Sequence, residues 1–149
     1  MARSISVKVP TSSLIQMVED RIAQIEKEIA EYPAKREKYE ADQEAYKATI
    51  VDFISNYLSN NSKMVGYDHD SVIRVSRAYN GRVELTFDTQ AIENFPKEPV
   101  APSAPNQREW FGRDHSTRKE LLEKNLRILK MTSQEEVNAT TYGAIMEII

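Results

Sequence analysis

A heptad pattern that runs from Ile15 to Tyr57 constrains this chain more than any other feature of its 149 residues. When the sequence is followed in alternating steps of three and four, eleven of thirteen positions are apolar or aromatic, and the exceptions are Arg36 and Gln43. Charged side chains fill half of the positions between them, which predicts a helix with one apolar seam and a solvated outer face. Such a seam packs on its own domain or forms a coiled coil within or between chains. The positions that we expect to mediate self-association or partner binding are Ile15, Val18, Ile22, Ile25, Ile29, Tyr39, Tyr46, Ile50, Phe53 and Tyr57.

Pro33 falls inside this pattern and leaves two geometries open. Within one helix, proline removes a backbone hydrogen bond and crowds the carbonyl of Ile29, at a cost of about 3 kcal/mol. At the start of a second helix it costs nothing, and residues 12–31 and 34–59 then form an antiparallel helical hairpin. Proline restricts Tyr32 and so favours the hairpin, whereas the unbroken heptad phase favours one helix. A single helix of about 47 residues is about 70 Å long, which the rest of the chain can hardly cover, and this shifts the balance slightly toward the hairpin.

A β-hairpin is predicted after the polar break at residues 59–70, because alternating apolar residues flank Asn80-Gly81. A two-residue turn there mixes polar and apolar faces. A three-residue loop, Tyr79-Asn80-Gly81, keeps one face apolar and puts Gly81 at the left-handed position that such loops require. The register that follows pairs Ile73 with Phe87, Val75 with Leu85 and Arg77 with Val83.

The remaining patterns predict short elements at both ends of the chain. Residues 4–9 alternate with a period of two, which predicts a strand, and the hydroxyls of residues 11–13 are candidate caps for the long helix. Thr117 and Glu120 form a predicted capping box for a leucine-rich helix that ends near Lys130. A short helix follows near Thr141. This order predicts an α+β fold, with a long N-terminal coiled-coil or hairpin element, a small domain that contains the β-hairpin, and C-terminal helices.

Proline recurs at every third position of residues 96–105, which is typical of a stiff polyproline II spacer. A docking peptide for an aromatic groove is the alternative interpretation of this stretch. We therefore predict three segments: residues 1–95 with the strand, the helical element and the β-hairpin, a proline-rich linker at 96–109, and a C-terminal helical segment at 110–149.

The composition leaves little room for catalytic chemistry. The chain has no cysteine, which excludes a disulfide scaffold, a thiolate zinc site and a cysteine nucleophile. Its two histidines, His69 and His115, stand beside aspartates, the raw material of a general base or a metal site. No third ligand follows at a fixed spacing, so we interpret both as polar loop residues, and a small hydrolase built around them is the least favoured alternative. We predict a non-enzymatic protein without a metal or a cofactor.

The net charge of −3, from 20 basic and 23 acidic residues, is too mild to predict a polyanionic or polycationic partner. Arg74, Arg77 and Arg82 on the β-hairpin form the basic cluster that supports an alternative function, a nucleic-acid-binding accessory protein. No apolar run approaches the roughly 20 residues that span a bilayer, and no apolar leader follows the first residues. We therefore expect a soluble protein without membrane association.

The C-terminal block has a recognisable order: a leucine-rich helix over residues 121–131, a polar turn, a short strand near Val137, and a closing Thr140-Thr141-Tyr142. This block, about a quarter of the chain, resembles the ends of small uncharacterised proteins encoded by actinobacterial phages. The resemblance implies a setting, the cytoplasm of a host cell or a virion, and brings no active residues with it. Together with the heptad seam, it predicts a phage accessory or virion-associated protein that forms homo-oligomers and contacts a host or virion protein.

Overall fold

The computed structural model describes residues 8–149, and in that range the chain forms three α-helices and three small β-sheets. This mixture confirms the α+β prediction. Of the strand predicted over residues 4–9, residues 4–7 lie outside the described part, and Val9 lies in a strand. The elements in chain order are β1 (Val9–Pro10), α1 (Thr11–Asn60), a 3₁₀ turn (Ser62–Met64), β2 (Val65–Gly66), β3 (Ile73–Arg77), β4 (Val83–Phe87), β5 (Arg108–Phe111), β6 (Asp114–Thr117), α2 (Arg118–Met131), β7 (Glu136–Val137) and α3 (Ala139–Met146).

Helix α1 runs as one helix of 50 residues with Pro33 inside it. The helical hairpin, which the sequence slightly favoured, is therefore wrong. The heptad phase is unbroken across Pro33 and no glycine turns the chain there, so the seam stays on one side only if the helix continues. The cost of the interior proline, about 3 kcal/mol, is offset by the side chains that α1 buries.

Two compact units divide the chain in a way that differs from the predicted segments. The first unit combines the chain up to Arg36 with Pro102–Ile149, and the second comprises Glu37–Ala101. The predicted boundaries at residues 95 and 109 do not coincide with this division, because the first part of α1 belongs with the C-terminal helices. No helix within residues 8–149 combines the length and apolar character that crossing a membrane requires.

The first unit is built around a core that joins α1 to both C-terminal helices. Strand β1 pairs antiparallel with β7, with Val9 opposite Val137. Thr11 reinforces this junction, because its hydroxyl donates to the carbonyl of Gln134 at 2.8 Å instead of capping α1. The buried hydrophobic residues of this core are Leu14, Val18, Ile25, Leu121, Leu122, Leu129, Val137, Ile145 and Ile148.

Side-chain caps start both C-terminal helices. The capping box of Thr117 and Glu120 is confirmed: the Thr117 hydroxyl accepts from the Glu120 N–H at 3.2 Å, and the Glu120 carboxylate accepts from the Thr117 N–H at 3.0 Å. Asn138 starts α3 in a similar way, since its side-chain oxygen accepts from the N–H of Thr141 at 2.8 Å. The helix expected near Thr141 therefore begins two residues earlier, at Ala139.

The second unit contains a three-stranded sheet in the order β2-β3-β4. The predicted register is confirmed in full: Ile73 lies opposite Phe87, Val75 opposite Leu85 and Arg77 opposite Val83. Gly81 has φ of +76°, as the three-residue loop requires. At the base of the hairpin Ile73 is fully buried.

Candidate interaction surfaces

The first half of the seam is covered by its own chain. Val18 and Ile25 lie in the core of the first unit, and Ile15 and Ile22 pack against that core. Coverage ends one helical turn later, where Ile29 is 40% exposed against 2% for Ile25. Val18 and Ile25 are among the positions expected to mediate self-association, and in this fold they are buried in a core shared with residues of α2 and α3. The surface left for a second chain is correspondingly smaller.

The second half of the seam keeps its spacing and is only partly covered. Tyr39, Tyr46, Ile50, Phe53 and Tyr57 all lie half-buried. Within this row the rings of Phe53 and Tyr57 stack with centroids 6.1 Å apart. Among the described residues, the buried side chains of the first unit's core are all aliphatic, although Phe111 and Tyr142 pack against it, so the two halves of the seam differ in chemistry as well as in exposure.

The chain that follows the hairpin lies along part of this second half. Phe95 meets Phe53 edge to face at 5.4 Å. Gln43, one of the two polar positions in the seam, donates to the hydroxyl of Tyr39 at 2.9 Å and to the carboxylate of Glu98 at 3.5 Å. The start of the predicted linker is therefore in contact with the helix. Val51, beside the seam, stays 60% exposed.

The end of the predicted linker is also held in place, within the first unit. The side-chain oxygen of Asn106 accepts from the N–H of Lys119 in the first turn of α2 at 2.9 Å. Residues 96–107 form no helix or strand, as expected for an extended segment. However, residues 104–106 are half-buried, so this stretch packs on the protein and does not act as a free spacer.

Ion pairs line the outer face of α1 near the point where coverage ends. Lys35 donates to Glu31 at 3.0 Å, and this hydrogen bond is the main cause that lowers the pKa of Glu31. Lys119 on α2 lies 2.9 Å from Glu26, and this contact raises the pKa of Lys119. Both pairs are partly accessible to solvent, so they orient side chains more than they stabilise the fold.

The three hairpin arginines do not share one face. Side chains alternate along a strand, so Arg74 and Arg77, three residues apart on β3, project to opposite sides of the sheet. Arg82 falls on the side of Arg74, together with the acidic Glu84 on β4. A basic face for a phosphate backbone needs like charges on one side, and this hairpin mixes both signs there.

The two Asp-His clusters take up different surroundings. The Nδ1 atom of His69 lies 3.0 Å from a guanidinium nitrogen of Arg74, and since a guanidinium only donates, Nδ1 accepts. His115 lies opposite Trp110, with the ring centroids 4.8 Å apart. Within residues 8–149 no three side chains of the His, Cys, Asp or Glu type come together in a way that could hold a metal ion.

The β5–β6 hairpin around Trp110 was not predicted from the sequence. The sequence feature that could have indicated this hairpin is Gly112. It has φ of +64° and stands between Phe111 and Asp114, the last paired residues of the two strands. Trp110 is 71% exposed. On the neighbouring strand position, Phe111 lies under the guanidinium of Arg118, 5.4 Å from the ring centroid.

A cleft of about 300 Å³ opens beside this hairpin, and its walls include Arg21, Arg108 and Arg118. Its arginines are engaged by the protein itself: Arg21 donates to the carbonyl of Ile149 at 3.0 Å, and Arg118 pairs with Glu109 at 3.4 Å. The walls of the cleft therefore have both positive and negative side chains. Arg21 and Arg118 each have a partner within the protein.

No family model, curated protein or solved structure matches this chain. The resemblance of the C-terminal block to phage proteins stays a prediction. What the protein does must be inferred from its own residues.

Proposed function

We propose that this protein is a non-enzymatic phage accessory or virion-associated protein that works through protein–protein contacts and self-associates through the second half of the heptad seam. One observation supports this most directly: Tyr39, Tyr46, Ile50, Phe53 and Tyr57 keep heptad spacing while they remain half-buried. A regular seam that its own chain covers only in part is a surface suited to another helix.

The energetics of such a contact are favourable. Full burial of a large apolar side chain stabilises by roughly 1.5–3 kcal/mol relative to exposure, and part of that gain is still available at each half-buried position. Aromatic side chains such as those of Tyr39, Tyr46 and Tyr57 also suit interfaces, because each combines a large apolar ring with a hydroxyl that can reach solvent. The first partner is a second copy of the chain, and a host or virion protein is the further partner, in the host cytoplasm or the virion.

Light scattering on the purified full chain tests this proposal. We expect the wild-type protein to have a molar mass above that of a monomer. Ile50→Glu puts a charge into the seam and should reduce the mass toward the monomer, because an unpaired charge is costly to bury. Ala48→Glu, which places the same charge at an exposed position two residues away, is the matched control and should assemble like the wild type. A monomeric wild type, or equal assembly by both variants, contradicts the proposal.

The non-enzymatic part of the proposal has its own test. If His69 and His115 serve only as loop residues, the double variant His69→Gln/His115→Gln should keep its fold and its assembly. Elemental analysis of protein purified without chelator should then find no stoichiometric metal. About one zinc or manganese ion per chain would contradict this and favour a hydrolase.

A further inference from the structure

Strand β4 lies at the edge of its sheet, and it has exposed apolar side chains. In the described part of the chain, β3 is the neighbour to which β4 is hydrogen-bonded. Val83 is 62% exposed and Leu85 is 43% exposed. Natural edge strands are commonly protected by lysine, proline or a covering element, yet the sequence of β4, Val-Glu-Leu-Thr-Phe, has neither residue. Such an edge is a template for pairing with another strand.

The register decides which backbone groups face this edge. At one end of the hairpin the N–H of Asp88 donates to the carbonyl of Val72 at 2.9 Å. Bonded and non-bonded pairs alternate along an antiparallel ladder, so the even-numbered residues of β4 direct their backbone groups to β3. Val83, Leu85 and Phe87 direct theirs away from it, toward the open edge. The same three residues project their side chains to the apolar side of the sheet.

We propose that this edge binds β4 of a second copy of the chain, antiparallel and about a two-fold axis at Leu85. Leu85 then lies opposite the partner's Leu85, and Val83 lies opposite the partner's Phe87. Each of these pairs can form two backbone hydrogen bonds between the open edges. Three strands from each copy join in one continuous sheet, and the exposed parts of Val83 and Leu85 gain apolar neighbours.

Charge complementarity selects this register over its neighbours. With the axis at Leu85, Arg82 lies opposite the partner's Asp88, and the symmetry creates that pair twice. An axis at Glu84 sets two glutamates against each other, and an axis at Thr86 sets Glu84 against the partner's Asp88. An axis at Val83 shortens the overlap, because Leu85 then lies opposite the partner's Gly81 in the loop. Opposite charges across strands stabilise and like charges destabilise, so the axis at Leu85 is preferred.

This interface goes beyond the proposed function, because it uses a different surface from the helix seam. It requires only the β2-β3-β4 sheet, and none of its contacts involve α1. The failure of one surface can therefore be separated from the failure of the other by combining variants.

Single cysteines test the pairing directly, since the chain has no cysteine of its own. Facing residues of a bonded pair have Cα atoms about 5.5 Å apart, within the range of a disulfide. Leu85→Cys should therefore form a disulfide-linked dimer under mild oxidation. Val83→Cys is the matched control: four residues separate it from its symmetry mate, roughly 14 Å along the strand, so alone it should stay uncrosslinked. Mixed with Phe87→Cys, it should form the heterodimer.

A charge swap tests the register without a covalent bond. Arg82→Glu should weaken dimerisation by about tenfold in Kd, measured by sedimentation velocity in an Ile50→Glu background, because two attractive pairs become repulsive. The double variant Arg82→Glu/Asp88→Lys restores opposite charges and should recover most of the lost affinity. Amide exchange in residues 73–87 of each variant verifies that the hairpin is folded.

The outcomes separate the two surfaces. Crosslinking of Leu85→Cys that persists in the Ile50→Glu background supports the sheet interface whatever the seam does. The proposal is overturned if Leu85→Cys crosslinks no faster than Val83→Cys, or if the charge swap restores nothing in a folded protein. Loss of assembly in Ile50→Glu together with unchanged behaviour of all β4 variants supports the seam alone and overturns the sheet interface.

Discussion

The two halves of α1 have the same heptad pattern but different surroundings. In the first half, Val18 and Ile25 are buried under α2 and α3. In the second half, Tyr46 and Ile50 remain half-buried, and the segment after the hairpin contacts the seam positions Gln43 and Phe53. A regular seam therefore indicates that apolar side chains need cover, and it leaves open which part of the molecule, or which molecule, provides it.

The largest effect on stability is expected from a charge at Ile25, the last buried position of the seam. Ile25→Asp buries an unpaired carboxylate in the core of the first unit and should destabilise the fold by about 3–5 kcal/mol. Chemical denaturation followed by circular dichroism measures the effect. Because the contact lies within the chain, unfolding or aggregation is expected, with no folded monomer released from an assembly.

Ile29→Asp is the matched control one helical turn later on the same seam. Its side chain is 40% exposed, so we expect a loss of about 1 kcal/mol or less. Equal losses at Ile25 and Ile29 would show that coverage continues past Ile25, and the contrast between the halves would have to be abandoned.

The hairpin of the second unit gives the next largest effect. Gly81 has φ of +76°, where a β-branched residue is strained. Gly81→Val should destabilise by roughly 1–3 kcal/mol, measured as a shift in Tm and as faster amide exchange in residues 73–87. Gly143→Ala in α3 meets open space and should instead gain about 0.5–1 kcal/mol, because alanine is the better helix residue. An unchanged Tm for Gly81→Val would contradict the loop conformation.

A smaller effect is expected at the start of α2, which covers the first half of the seam. Thr117→Ala removes the hydroxyl that accepts from the Glu120 N–H and should cost about 1 kcal/mol. Thr117→Ser keeps an acceptor at that position and should restore most of the stability. If thermal melts of the alanine and serine variants coincide, the cap does not contribute in the way that the geometry implies.

The smallest effect is a pH dependence of the same cap. The pKa of Glu120 is lowered from 4.5, chiefly because its carboxylate accepts from the Thr117 backbone N–H. A carboxylate whose pKa is lower in the folded state stabilises that state when the pH is above the pKa of the unfolded chain. This contribution is lost as the pH falls through the lower, folded-state pKa. The Tm of Glu120→Gln should therefore lie slightly below that of the wild type at pH 7, and the two should converge at acidic pH below 4.5. A gap that is constant with pH would contradict a charge-dependent role.

Local chemistry explains which features the sequence could predict. The hairpin register and the capping box follow from residues within about 15 positions of one another, so alternation and turn chemistry were sufficient. The path through Pro33 was mispredicted, because local restriction at Tyr32 competes with burial of a seam over the whole of α1. The β5–β6 hairpin was missed because its strands have only four residues each and no alternation of apolar and polar residues, with Gly112 as the turn signal.

Tertiary packing determines which elements cover the seam. The leucine-rich pattern of α2 predicts that it needs a partner, and several apolar stripes in the chain fit equally well. Only the structure shows that Val18 and Ile25 share a core with residues of α2 and α3. The candidate interaction surface therefore comprises the predicted seam positions that this core does not bury, and these lie in the second half of α1.

The exposure of Trp110 determines what an optical experiment on this protein reports. It is the single tryptophan of the chain, and it lies 71% exposed beside His115. Its emission in the native state should already be close to that of an indole in water, so unfolding of the core will change its wavelength little. Intrinsic fluorescence is thus a local reporter of the β5–β6 hairpin, and a flat fluorescence trace can accompany complete loss of helical circular dichroism.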